Sequence, residues 1–371
     1  MINYIENHTD SQKSFRTIFS FIVKKGKTTR REIQKGTNYS WSSVSGVVSV
    51  LLNNNLVIET DPVISGVGRG TSYIVPNGDR FVSIGLDVNS TGFTSSVVGV
   101  DGSIKYKNMR PYLGDTKEYV LDLMFELIDD CLTFTKDKYN VASIGVSCQG
   151  TVINHSIYKR FVFAKDFTYC NIKEIIEKKY GIFTYLEHDT NCLLEDYLFN
   201  HNEGYVSVCV ARIVSGLGFA ISSNGQSLEM FGPIDFGHMI VQPRDGDKCL
   251  CGMNGCLEAY VSSVGIARRA GVEDFSIIEK NRDKYRNILD EAGFYLGVAL
   301  ANLSHIFSLD GVVMTGHVIG NDETMLKQII KYNNEFSGEE RAEIKYLPDL
   351  SASFGAARLS FIEKVDKEGA F

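Results

Sequence analysis

Residues 249–256 read Cys249-Leu250-Cys251-Gly252-Met253-Asn254-Gly255-Cys256, and His238 stands eleven residues upstream. Three thiols fall within this run, and its two glycines let the backbone turn tightly enough to bring them together. Thiolate and imidazole are the ligands Zn²⁺ prefers, and four of them close a tetrahedron to catalytic water. The spacing therefore predicts a structural zinc site of His238, Cys249, Cys251 and Cys256. A cluster of buried thiols is the alternative. The other cysteines, at 131, 148, 170, 192 and 209, are scattered and read as core filler.

Outward from this knuckle the chain alternates apolar strands with longer helical stretches. Strands are expected at 81–87, 93–101, 103–106, 141–146 and 183–186, with helices at 116–138, 172–180 and 191–199. A comparable series follows: strands at 205–211, 218–222, near 239–241 and at 311–314, with a long helix at 288–307. Two βββαβα-like halves suggest a duplicated α/β architecture with a cleft between lobes.

The first eighty residues differ in kind. They carry ten Lys/Arg and six Asp/Glu, a net +4 in a chain whose total is −7. Phe15, Ile18, Phe19, Ile22 and Val23 form the apolar stripe of a first helix that Gly26 ends. Thr29-Arg30-Arg31-Glu32 is a capping box opening a second helix, expected to stop at Gly36. Ser40 caps a third, whose Val44, Val47, Val48, Leu51 and Leu52 share one face. Its other face is small and polar: Ser42, Ser43, Ser45, Gly46 and Ser49. Leu56–Glu59 and Tyr73–Val75 flank a loop with Gly68-Arg69-Gly70, which makes a hairpin. Three helices and a hairpin form a winged helix-turn-helix over 1–78. Its basic charge favours operator DNA as partner over a second protein, with Arg30, Ser42, Ser43, Ser45, Ser49 and Arg69 as contacts. Arg69 is placed to enter a minor groove.

Composition bounds the rest. At 44 % hydrophobic residues the chain is no disordered tail, and no run approaches the roughly 18 apolar residues of a spanning helix. Met1-Ile2-Asn3-Tyr4-Ile5-Glu6 lacks a signal peptide's layout, so a reducing cytoplasm and no membrane partner are expected.

Phe236-Gly237-His238 followed by Cys249-x-Cys251-Gly252-x-x-Gly255-Cys256-x-Glu258-Ala259-Tyr260 resembles the signature of the ROK family (repressors, open reading frames and sugar kinases). Glu187-His188-Asp189-Thr190-Asn191 resembles the family's Glu-Asn-Asp-Ala-Asn. Ser215-Gly216-Leu217-Gly218 resembles its Thr-Gly-Ile-Gly, and Phe354-Gly355-Ala356-Ala357 its C-terminal helix. Ser40-x-x-Ser43-Val44-Ser45 and Gly68-Arg69 are similar to the head of its repressor branch, that of the xylose and N-acetylglucosamine repressors. The resemblance implies an α/β chain: a winged helix-turn-helix followed by a two-lobed, actin-like (ribonuclease H-like) sugar-kinase fold, as a homodimer or homotetramer. The implied lobes are 79–190 together with the C-terminal helix 351–371, and 191–350 with the zinc site.

The family's sugar contacts carry onto His188, Asp189, Asp235, His238 and Glu258. His188 stands where Asn is usual and Asp235 where Glu is usual. In the kinases the carboxylate at 189 is the general base, so Asp189 is the catalytic candidate if the chain is a kinase. The kinases' Asp-x-Gly-Gly-Thr reads here Asp87-Val88-Asn89-Ser90-Thr91, Thr315-Gly316-His317 replaces a glycine-rich stretch, and Val214 stands at a further glycine. Side chains at such places narrow a phosphate site. The expectation is a sugar-responsive DNA-binding transcriptional regulator, a repressor of carbohydrate-utilisation genes, and not an enzyme. An ATP-dependent sugar kinase with a DNA-binding head is the alternative.

Overall fold

The computed structural model describes residues 10–61, 72–90, 92–114, 116–159, 167, 169–201, 203–224, 226–228, 235–320, 322–338 and 342–368. They group into two compact units, 1–188 with 352–371 and 189–351.

The first unit opens with helices α1 (Asp10–Lys25), α2 (Arg30–Thr37) and α3 (Trp41–Asn53) and the antiparallel pair β1 (Val57–Glu59) and β2 (Ile74–Pro76). The capping box is complete: Thr29 Oγ1 accepts from the Glu32 N–H, and Glu32 accepts from the Thr29 N–H at 2.7 Å. α2 does not stop at Gly36 but runs one residue on, and left-handed Asn38 caps it. Gly36 has a packing reason instead, since a Cβ there would lie 2.2 Å from the Phe21 ring. Ser40 caps α3 through the Ser43 N–H. The Gly68-Arg69 wing lies outside the described residues.

This head is not an appendage on a linker. Ile18, Phe19 and Ile22 of α1, Ile33 of α2 and Val44, Val48 and Leu51 of α3 form one apolar cluster with Phe81, Val100, Ala142, Phe361, Ile362 and Val365 of the body. The buried Arg358 donates to Val23 O at 3.1 Å, closing the C-terminal end of α1.

The body of this unit is built from β3 (Phe81–Asn89), β4 (Gly92–Gly99), β5 (Ile104–Pro111), α4 (Lys117–Thr135), β6 (Asn140–Cys148), the small hairpin β7 (Thr151–Ile153) and β8 (Ile157–Lys159), α5 (Ile172–Tyr180) and β9 (Thr184–His188). Its sheet runs β5-β4-β3-β6-β9, antiparallel on the β5 side and parallel on the other. The C-terminal helix, Ala352–Glu368, lies against it where Gly85 and Gly145 leave room. A Cβ on either would fall within 2 Å of a helix carbonyl oxygen.

The second unit comprises α6 (Asp189–Asp196) with a wide π turn, Tyr197–His201, then β10 (Ser207–Ile213), β11 (Leu217–Ser223), β12 (Gln226–Ser227), α7 (Glu258–Val261), α8 (Ser263–Ala270), α9 (Phe275–Glu279), α10 (Arg286–Phe307), β13 (Gly311–Thr315), α11 (Glu323–Ser337) and β14 (Glu343–Tyr346). Its sheet order, β12-β11-β10-β13-β14, repeats that of the first. The duplication expected from periodicity is therefore present as two equivalent sheets. The strand expected near 239–241 is absent: Ile240 makes only an isolated bridge to Cys256, because this stretch serves the cysteine knuckle rather than a sheet. Among the described residues no helix is long and apolar enough to cross a membrane.

Candidate functional site

The knuckle is folded by its own backbone. Ile240 bridges Cys256, Lys248 bridges Asn254, and Gly255 takes φ +78° with its Cα against Gln242 O, where a Cβ would sit 1.9 Å away. Asp247 N–H donates to the Tyr260 hydroxyl at 2.8 Å, tying the loop to α7. The ligand atoms of His238, Cys249, Cys251 and Cys256 all lie within 4.8 Å of one another. Cys251 Sγ and Cys256 Sγ are 3.6 Å apart, and Cys249 Sγ is 3.7 Å from His238 Nδ1. A tetrahedral Zn²⁺ with metal–sulfur bonds of about 2.3 Å and a metal–nitrogen bond of about 2.1 Å has edges of about 3.6–3.8 Å. The cluster fits a structural Zn²⁺ site. Burial first, then the neighbouring Cys251 thiol and the Glu258 carboxylate, push the Cys249 thiol up to about 12 and raise Cys256; a bound cation would reverse this by favouring the thiolates.

Sugar-contact candidates surround the knuckle. Asp235 Oδ2 lies 3.8 Å from His238 Nε2, the ring nitrogen facing away from Cys249. At that separation the carboxylate faces the ring without a hydrogen bond. Glu258 begins α7 two residues after Cys256. Its Oε1 is 3.7 Å from Cys249 Sγ, and its Oε2 accepts from the Leu217 N–H at 3.2 Å. Burial raises the Glu258 carboxyl, against the opposing pull of His238. The same carboxylate lies beside Gly216, where a Cβ would be 3.2 Å from Oε2. One side chain thus joins the knuckle to the β10–β11 turn.

Asp189, the first residue of α6, is 4 % exposed and is held by Arg212 of β10, Nη1 to Oδ2 at 2.8 Å. Sequence reasoning passed over Arg212. The signal was available: a single cation in Ser-Val-Cys-Val-Ala-Arg-Ile, a run otherwise suited to burial. At the neighbouring strand end, Gly316 (φ +108°) is required by packing, because a Cβ would sit 2.1 Å from Ile213 O.

His188 closes the first unit. Its N–H donates to Glu187 Oε1 at 2.7 Å, and Glu187 also accepts from the Tyr185 hydroxyl at 2.9 Å and faces His155 Nδ1 at 3.2 Å. Glu187 raises the His155 pKa, burial opposing. In the same unit Asn89 Nδ2 donates to Asp87 Oδ2 at 2.9 Å, and Ser147 donates to Asp87 Oδ1 at 2.9 Å. The Asn89 amide oxygen in turn accepts from the Gly92 N–H at 3.3 Å, a backbone donor that a glycine at 89 would leave without this partner.

In the head, Ser42 and Ser49 of α3 are exposed and Ser43 and Ser45 half-buried. The Ser43 hydroxyl is 2.9 Å from the capping Ser40 hydroxyl. Arg30 is engaged by Glu59 of β1 through both guanidinium ends, at 2.5 and 3.0 Å.

Two like sheets with this knuckle, preceded by a three-helix head with a short β pair, define the class: the ROK family model matches residues 83–360, and the chain belongs to that family. It is 23 % identical over 322 residues to the xylose repressor of Bacillus spizizenii, covering 83 % of each chain. A solved ROK family transcriptional regulator, a homolog of the E. coli MLC protein, superposes with TM-score 0.77 at 21 % identity, over 96 % of this chain and 97 % of that one. The ROK hexokinase of Thermus thermophilus gives TM-score 0.66 at 22 % identity, over 77 % of this chain and 99 % of the enzyme. The chain is thus related both to sugar repressors and to sugar kinases.

Proposed function

We propose that the chain is a sugar-responsive DNA-binding transcriptional regulator, a repressor of carbohydrate-utilisation genes, and that its kinase-like body senses rather than phosphorylates. The observation that carries this reading is the shared core of head and body, in which α1 packs on the same cluster as Phe361, Ile362 and Val365. A head so embedded follows movements of the sheet and helix beneath it. A flexible tether would not.

The body supports binding without turnover. A general base must accept a proton from the attacked hydroxyl, whereas the Asp189 carboxylate is occupied by the Arg212 guanidinium. Hydrogen bonding survives this pairing: Arg212 donates and Asp189 accepts, which suits a sugar hydroxyl. Glu258, Asp235 and His238 of the same unit supply further polar contacts. Zinc, held by His238, Cys249, Cys251 and Cys256, would act structurally, fixing Asp235 and Glu258 through the ligands beside them. Asn89 folded on Asp87 weighs against a phosphate-cradling loop. A symmetric dimer would present two heads, and a tetramer two pairs of heads, to paired half-sites.

The bifunctional kinase reading rests on Asp189 opening a helix and on the Ser215-Gly216 turn of the same unit. An ATP-coupled assay over a sugar panel separates the two: the regulator shows no turnover at ordinary enzyme rates, and sustained turnover overturns it. A duplex-DNA shift that weakens steeply with salt tests the head. Absence of any duplex binding makes the head a protein-interaction module instead.

A further inference from the structure

We infer that Trp41, the first residue of α3, is the side chain that reads base identity, by apolar contact with a thymine methyl in the major groove. This rests on the DNA-binding reading above. Around Trp41 the outward face of α3 is shallow, and its other exposed apolar side chain, Val50, stands at the far, C-terminal end of the helix. Ser42, Gly46 and Ser49 are exposed, and a Cβ built at Gly46 meets nothing within 4 Å. Trp41 is 51 % exposed and heads the same face, with Ser45 and Ser49 at the i+4 and i+8 positions. It takes no part in the helix cap, which Ser40 and the Ser43 N–H complete between them.

Chemistry assigns the contact. A serine hydroxyl both donates and accepts, so a row of serines fits any base pair and discriminates weakly. Indole offers a broad apolar face and one donor. In the major groove the apolar feature that distinguishes one base from another is the thymine 5-methyl group. The N-terminal turn of a recognition helix is also the part that reaches base edges. The surroundings match DNA in charge: Lys24, Lys25, Lys27, Arg31 and Lys35 of the same head are exposed. The flat floor behind Trp41 lets the helix approach closely while the indole projects.

The chain has a single tryptophan, so its emission reports on this position alone. The probe is a short duplex recovered by the wild-type protein from a random-sequence library, titrated into the full-length chain. Binding is expected to quench and shift the Trp41 emission. Replacing thymine by uracil in the half-site removes only the methyl group and is expected to weaken binding about fourfold, the worth of one buried methyl. Trp41→Ala is expected to bind about tenfold more weakly and to be indifferent to the uracil exchange, with Trp41→Phe between the two. Unchanged emission at saturation overturns the inference, as does equal affinity for thymine and uracil duplexes in the wild type. The uracil arm stands even if a Trp41 variant misfolds. Failure to recover or bind any duplex overturns the DNA-binding reading itself, a different outcome from duplex binding that ignores Trp41.

Discussion

The two sheets of the body share one strand order but carry different chemistry at equivalent strand ends. β3 and β10 occupy the same place in their sheets. After β3 the turn is closed by Asn89, whose amide donates to Asp87. After β10 the turn keeps Ser215-Gly216 and is held from outside, by Glu258 on the Leu217 N–H. The first sheet supports the head through Phe81, Val100 and Ala142. The second adds the cysteine knuckle and the Asp189–Arg212 pair. Duplication repeats the scaffold, whereas the residues at strand ends decide what each copy does.

The largest contrast to break is the knuckle, which the first sheet lacks among the described residues. Cys256→Ser, or a strong chelator, removes a ligand set that closes a loop onto α7. The expected loss is about 3 kcal/mol or more, on the order of 10 °C in Tm. Freshly purified protein should hold one zinc per chain by elemental analysis, and under about half an equivalent would contradict the assignment.

Next is the pair. Both side chains are shielded, 13 % and 6 % exposed, so Arg212→Ala takes the counter-charge from a buried carboxylate and is expected to cost about 3 kcal/mol in urea unfolding. Adding Asp189→Asn should restore at least about 1 kcal/mol of this, because the buried negative charge is gone. Simple additivity of the two changes would show that the pair is not coupled.

In the first sheet the corresponding electrostatic feature titrates. Glu187 raises the folded-state pKa of His155. The contribution is therefore full below the unfolded value, about 6.5, and is lost as pH rises through the raised folded value. Wild type should lose denaturant resistance across that window, and His155→Gln should flatten the loss. An unchanged slope would remove His155 from the account.

The smallest effect lies in the head. Gly46 is an exposed helix-interior glycine with open space at its Cβ, so Gly46→Ala should stabilise by up to about 1 kcal/mol in a thermal melt. Destabilisation would mean that the α3 face is less open than described.

What the sequence disclosed follows from how locally each feature is encoded. The metal set was readable because three of its ligands sit within one short loop, and the capping box because its partners are three residues apart. β3, β4, β6 and β9 were readable from apolar runs, but the three-residue strands β7 and β8 are too short to show a pattern, and β5 extends to Pro111 because its charged residues Lys105, Lys107 and Arg110 hide a half-exposed edge strand. Arg212 escaped notice because its meaning lies in Asp189, a partner distant in sequence. Gly36 was misread as a stop because its reason, the Phe21 ring, belongs to another helix. The fusion of the head to the body could not be seen at all: Phe19 meets Phe361 edge-on, with ring centroids 6.2 Å apart, across nearly the whole chain.

The most direct test of the regulator reading is the affinity for a labelled, library-selected duplex, measured by anisotropy with and without each member of a panel of sugars and sugar phosphates. At least one of them is expected to shift the duplex Kd by about 5–150-fold, the usual range of coupling between two sites. A duplex affinity that stays the same with every member of the panel would contradict it.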